Sequence, residues 1–241
     1  MKTLTTLQRC WAVVLAGALT WGSFAGHGTW PALTGRMASS LVLVAAAAVA
    51  WRRSGVRLAV WTLAGMAFGA LGDFFNAGLL PGGTIAGIGA FGIGHVCYIS
   101  GMLGVLITRR ARDPVAAAAV AGWLLTGVLG WYVVVWLAPP LAWDSPPDGL
   151  AALVWPALGY TLLLSATAGF GTALALADRA YRRLALGAAL FLLSDLILAV
   201  ALFRGPFPQD TLAVWIPYGV GQMLIVFTVA RQVVPQQQEP S

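Results

Sequence analysis

Apolar runs of membrane-crossing length fill the chain, separated by short breaks that hold most of its Arg, Pro and Asp residues. A helix needs about 20 apolar residues to cross a hydrocarbon core roughly 30 Å thick. The pattern therefore predicts eight spans, over 10–26, 32–51, 58–80, 83–108, 115–138, 150–177, 184–203 and 211–230. Together they form one all-α, polytopic membrane domain over 1–234, followed by a polar tail over 235–241, PQQQEPS, with the composition of a disordered segment. The first run is short, with Lys2 and Arg9 before it and SFAG after it, so it also has the features of a signal peptide. Cleavage there would leave seven spans. The runs AAAAVA at 45–50 and VAAAAVAG at 115–122 are small-residue surfaces on which helices approach closely in lipid.

Composition removes the soluble alternative: 59% of the 241 residues are hydrophobic, 9% are charged, and the mean hydropathy is +0.83. The charges then orient the spans. Arg52, Arg53 and Arg57, then Arg109, Arg110 and Arg112, then Arg179, Arg182 and Arg183 occupy alternate breaks. With Lys2, Arg9 and Arg231 they place twelve basic residues on one face and leave Arg36 and Arg204 on the other. The positive-inside rule makes the first face cytoplasmic, with both termini on it, in a cell membrane (the inner membrane in a prokaryote). The net charge of +6 thus reflects topology and anionic lipid heads. No basic segment is interleaved with exposed aromatics, which excludes a nucleic-acid footprint.

Cys10 and Cys97 fall on different spans at different depths and read as free thiols. Trp30, Trp51, Trp143 and Trp215 lie near span ends, as interfacial anchors do. The exterior break over 139–149, PPLAWDSPPDG, is Pro-rich, and its Asp144 and Asp148 read as solvated charges on a rigid connector.

Candidate chemistry is confined to a few polar residues inside apolar spans. Asp195, beside Ser194, interrupts LGAALFLLSDLILA in the seventh span, and Asp73 interrupts FGALGDFFNAG in the third. A carboxylate near the bilayer centre costs roughly 2.5–3.5 kcal/mol on insertion scales, so each needs a functional or structural reason. Asp73 with Asn76, His95 with Tyr98, and Tyr218 with Gln222 each share a helix face, the last pair just after Pro217. At a rise of 1.5 Å per residue, Asp73, Asp195 and Tyr218 lie about 10–12 Å below the exterior ends of their spans, and Gln222 and His95 about 17–18 Å. All five are expected to meet in one hydrated cavity, because lipid-facing polar groups at that depth are costly. AFGALGDFFNA and ALFLLSDLILA also match one another, as a four-helix unit used twice in parallel would require.

GDFFNAG, FGIGHVCYI, LGAALFLLSDLILA and YGVGQMLI together resemble the YhhN family of membrane proteins, in the family's order and from about residue 60 onward. Characterised members are lysoplasmalogenases. The resemblance implies eight spans, Asp73 and Asp195 as essential acids, and a pocket lined by His95, Tyr98, Tyr218 and Gln222, to which Asn76 and Ser194, close to the acids on their own helices, are added as substrate-binding candidates. It implies no metal and no cofactor. The implied partners are a lysophospholipid substrate and the lipid bilayer, with the oligomeric state open. Asn76 stands where the family's first motif would have an apolar residue, a departure that bears on substrate preference.

The implied reaction cleaves the vinyl ether of a 1-alkenyl glycerophosphoethanolamine or glycerophosphocholine to a fatty aldehyde and a glycerophospho head group. Two carboxylates suit it: one acid protonates the β-carbon, and its partner stabilises the oxocarbenium ion and activates water. The more apolar neighbours of Asp195 favour it as the acid, with Asp73 as the ionised partner. For the phosphate, Arg204 and Arg36 are the basic candidates, and both read more simply as surface charge. A proton-coupled transporter or channel using the same acids is the main alternative. His27 and His95 are too few for a three-His zinc centre, and the sole lysine, Lys2, lies outside every span and excludes a retinal Schiff base. Ser194 has no G-x-S-x-G-like turn to make it a nucleophile.

Overall fold

The computed structural model describes residues 2–109, 114–137 and 149–233. The apolar runs form eight long helices: α1 (Lys2–Ala25), α2 (Trp30–Ser54), α3 (Arg57–Asn76), α4 (Gly83–Thr108), α5 (Pro114–Trp131), α6 (Val154–Ala177), α7 (Arg182–Arg204) and α8 (Asp210–Val233). A π-helical turn extends α5 and a 3-10 turn precedes α6. No strand occurs among the described residues. Among the described residues, seven helices, α2 to α8, are long and apolar enough to cross a membrane. The remaining one, α1, begins at Lys2 rather than near residue 10 and carries Lys2, Gln8 and Arg9 in its first turns. In α3 the helix stops at Asn76, four residues before the expected end, where the Ala77 N–H caps back onto Asp73 and Gly78 turns the chain at φ 71°.

The suspected repeat extends through the packing. Within each half, consecutive helices lie side by side: α1 on α2, α2 on α3 and α3 on α4, then α5 on α6, α6 on α7 and α7 on α8. Across the halves, the fourth helix of each packs on the second helix of the other, α4 on α6 and α8 on α2. Glycines fix the equivalent contacts. Gly65 and Gly187 each stand eight residues before their aspartate. A Cβ on Gly94 would meet the Gly65 carbonyl oxygen at 2.9 Å, and one on Gly221 would meet that of Gly187 at 2.7 Å. These glycines belong to a second pair of matching segments, Phe91-Gly-Ile-Gly-His95 on α4 and Tyr218-Gly-Val-Gly-Gln222 on α8. The halves differ where α8 also touches α1 and α3.

One end of the bundle is held by basic residues. Arg53 donates to Thr3 and Arg231 to Gln8, while Arg109 pairs with Asp178 at 2.9 Å. The Ala180 N–H and then the Arg109 guanidinium hold the Asp178 carboxyl below its ordinary range. Arg110, Arg112, Trp143, Asp144, Asp148 and the tail over 235–241 lie outside the described residues. Cys10 is exposed and Cys97 buried, both unbridged. Trp30 and Trp51 are exposed on the outside of the bundle, but Trp215 is not a lipid anchor: it packs inward against Arg36 and Tyr218.

Gly187→Ala and Gly221→Ala are expected to destabilise the protein by about 1–3 kcal/mol each, because the added methyl meets backbone of the neighbouring helix. Gly89→Ala, with open space around its Cβ, should be neutral. Thermal unfolding in detergent, followed by size-exclusion, reads the difference.

Candidate active site

Asp73 is buried in the last turn of α3, and its Oδ2 accepts from two hydroxyls, Ser40 Oγ of α2 at 2.5 Å and the Tyr218 OH of α8 at 2.8 Å. Asp195 on α7 is partly buried, and its Oδ2 accepts the hydroxyl of Tyr160 from α6. In each half, then, the second helix supplies a hydroxyl to the acid on the third. Asp73 receives an additional hydroxyl from the fourth helix of the other half. At the matching position of α4 stands Phe91, which has no hydroxyl to offer Asp195. Two equivalent acids therefore have unequal surroundings.

Both acids line one chamber of about 400 Å³, together with Asn76, Tyr218, Arg36 and Trp215. The chamber lies at the end of the bundle away from the basic loops, against Gly28 of the α1–α2 turn and Ala77 of the α3–α4 turn. Two further cavities share its walls. An apolar one of about 70 Å³ runs among Trp131, Val134, Leu153, Leu192 and Phe203, with Asp195, Asn76 and Phe91 common to both. A shallower one of about 200 Å³ shares Arg36 and Trp215 with the chamber and adds Asp210 and Thr211. Asp195 thus sits on the boundary between an apolar cavity and a polar one. A lipid with one chain and a polar end has that same division.

Four of the expected site residues lie elsewhere. His95, Tyr98 and Gln222 form a buried layer outside the chamber, in keeping with their greater depth. The Tyr98 OH donates to Gln222 Oε1 at 2.9 Å. His95 Nδ1 lies 2.9 Å from Thr167 Oγ1, and because that hydroxyl donates to the Leu163 carbonyl, the imidazole is the donor in this pair. Its ring packs edge-on to Phe191, with centroids 4.6 Å apart. Ser194 donates to the Val214 carbonyl, one turn before Pro217, and ties α7 to α8. The expectation of one shared polar cavity is corrected accordingly: a chamber with its acids lies above a packed polar layer.

Two hydroxyl residues of the site carry no mark in the sequence: Ser40 belongs to a second span that reads as generic, and Tyr160 to a sixth span with no other mark. Their signal is a hydroxyl inside an apolar run, which acquires meaning only through its neighbours. Arg36 also corrects the reading as surface charge. It is 6% exposed, its Nη2 donates to the His27 carbonyl at 3.0 Å, and its guanidinium lies over the Trp215 ring, 5.2 Å from the centroid. Burial, and then this guanidinium, push the His27 imidazole below its ordinary pKa, against the opposing effect of Asp210. Arg204 lines none of the three cavities. Among the described residues no cluster of His, Cys, Asp and Glu is arranged to hold a metal ion.

The model of the YhhN family matches residues 32–229. The match begins in α2, ahead of the residue-60 start of the recognisable motifs, and so takes in Arg36 and Ser40. No curated protein and no solved structure matches the chain.

Asp73→Asn and Asp195→Asn keep an oxygen acceptor of the same shape and are expected to unfold within a few degrees of the wild type. Gln222→Leu, which strips the partner from the buried Tyr98 hydroxyl, should cost about 1–3 kcal/mol. Thermal shift in detergent separates the two groups. Equal destabilisation by all three would contradict the division into chamber and packed layer.

Proposed function

The chain belongs to the YhhN family, and from that membership together with the chamber's geometry we propose that it is a lysoplasmalogenase-like hydrolase acting on the vinyl ether of a single-chain glycerophospholipid. The observation that carries this reading is the position of Asp195 on both the apolar cavity and the acid-lined chamber. A substrate whose chain occupies the first and whose polar end occupies the second would carry its alkenyl ether past Asp195. YhhN membership supports this activity at the level of the family.

In the proposed sequence, protonated Asp195 delivers its proton to the β-carbon of the vinyl ether, and Tyr160 holds the carboxyl oxygen that does not carry the proton. The α-carbon becomes an oxocarbenium ion. Asp73, whose Oδ2 accepts from Ser40 and Tyr218, is suited to remain a carboxylate that stabilises the cation and takes a proton from the attacking water. The resulting hemiacetal gives its hydroxyl proton to the Asp195 carboxylate while the Asp73 carboxyl protonates the departing glycerol oxygen, which frees the aldehyde and restores both acids. Unequal hydrogen bonding of two like acids is what an acid/base pair requires. We further propose that α1 is an eighth crossing and that the basic loops face the cytoplasm, which would open the chamber to the opposite leaflet.

A conduit through the protein fits less well. It would have to pass the layer of His95, Tyr98, Phe191 and Gln222, whose side chains are buried against one another.

Purified protein in detergent is expected to release aldehyde from 1-alkenyl lysophospholipids and none from the saturated alkyl ethers. Asp73→Asn and Asp195→Asn should each lower the rate by roughly a thousandfold or more, and Tyr160→Phe and Tyr218→Phe by about ten- to a hundredfold. No aldehyde from well-folded wild type would overturn the proposed reaction, and unchanged rates in both Asp variants would overturn the mechanism.

A further inference from the structure

The shallow cavity beside the chamber holds two opposite charges that do not neutralise one another. Arg36 is more than nine-tenths buried, yet its Nε and Nη1 find no partner and its one hydrogen bond goes to a neutral carbonyl. Among the described residues the one ion pair is Arg109–Asp178, at the far end of the bundle. Burying a guanidinium with no anion in contact is costly, and Asp73, across the chamber, acts on Arg36 through space without an ion pair, so the site has a place for a further anion. Asp210, the first residue of α8, lines the same cavity and accepts from the adjacent Thr211 hydroxyl at 3.2 Å. Among the described residues no cation lies within ion-pair distance of it, and His27 acts on it only through space.

Resting on the lysolipid reading above, we propose that this cavity recognises a phosphoethanolamine head group, with the phosphate on Arg36 and the primary ammonium on Asp210. A guanidinium suits a phosphate because several N–H donors of one planar group can meet its oxygens. The ammonium is the part that selects. Its N–H groups can donate to the Asp210 carboxylate, whereas a choline nitrogen carries only methyls. Choline sites compensate with aromatic faces. Here the one aromatic lining the cavity is Trp215, and Arg36 already covers its ring. The cavity's connection to the chamber through Arg36, Leu198, Val214 and Trp215 puts the head group next to the glycerol, as a lysolipid requires.

Binding of uncleavable 1-O-alkyl ethers to the purified full-length protein tests the assignment without depending on catalysis. The probes are the alkyl lysophosphatidylethanolamine, the choline analogue, the alkyl lysophosphatidate and the 1-O-alkylglycerol, with soluble phosphoethanolamine as a competitor lacking the chain. Wild type is expected to bind the ethanolamine lipid about tenfold more tightly than the choline lipid. Asp210→Asn should erase that preference and leave lysophosphatidate no weaker. Arg36→Gln should weaken all three phosphorylated lipids by tenfold or more and alter the alkylglycerol by less than about twofold. Should Arg36→Gln fold poorly, Arg36→Lys keeps the charge, and an intermediate loss confined to the phosphorylated lipids is expected. An ethanolamine-to-choline ratio unchanged by Asp210→Asn, equal weakening of the alkylglycerol by the Arg36 variants, or no binding of any phosphorylated lipid by wild type would overturn the proposal. Loss of aldehyde release with the binding pattern intact would instead overturn the hydrolase reading alone.

Discussion

Asp73 ties three helices together through a single oxygen. Its Oδ2 accepts from Ser40 on α2 and Tyr218 on α8 while its backbone belongs to α3, so the acid sits where the two halves of the bundle meet. A carboxyl group at that depth has no water to turn to unless the protein supplies a cavity or donors. Here it has both. The hydroxyls hold the acid in place, and the chamber gives a reacting molecule access to it.

The duplicated architecture explains why the acids come as a pair, and its imperfections explain why they differ. Matching glycines let α3 approach α4 and α7 approach α8 at backbone distance, and Asp73 and Asp195, each eight residues after such a glycine, line one chamber. The residue that breaks the equivalence is aromatic on both sides, Phe91 in one half and Tyr218 in the other. One hydroxyl gives Asp73 a second donor and leaves Asp195 with Tyr160 alone. An acid and a base can then arise from one residue type without any further charged group.

The cavities are graded in polarity from the basic-free end of the bundle inward: opposite charges at the mouth, carboxyl groups in the chamber, and aliphatic and indole side chains around α5, α6 and α7. Below them the His95–Thr167 and Tyr98–Gln222 pairs close the core. Polar groups in that layer bond to one another across helices, which orders the bundle and leaves them little freedom to meet a substrate.

Much of this was legible in the chain itself. Apolar run lengths and alternating arginine clusters determine an all-helical membrane bundle with its basic loops on one face, because lipid imposes both constraints locally along the sequence. Asp73 and Asp195 are legible for the same reason: a charge in an apolar run is conspicuous without any partner. The helical rise even separates the deeper His95 and Gln222 from the acids, although that difference alone does not say that the deeper residues pack against one another. Ser40, Tyr160 and Arg36 are a different case. A serine, a tyrosine or an arginine near a span end is unremarkable until α2 and α6 are set beside α3, α7 and α8, and that adjacency depends on glycines and small residues distributed over the whole chain. Helix-by-helix patterning determined what crosses the membrane and which acids it carries; only the packing of one helix on another decided which hydroxyls hold them, which cavity each faces, and that Arg36 points inward rather than to the surface.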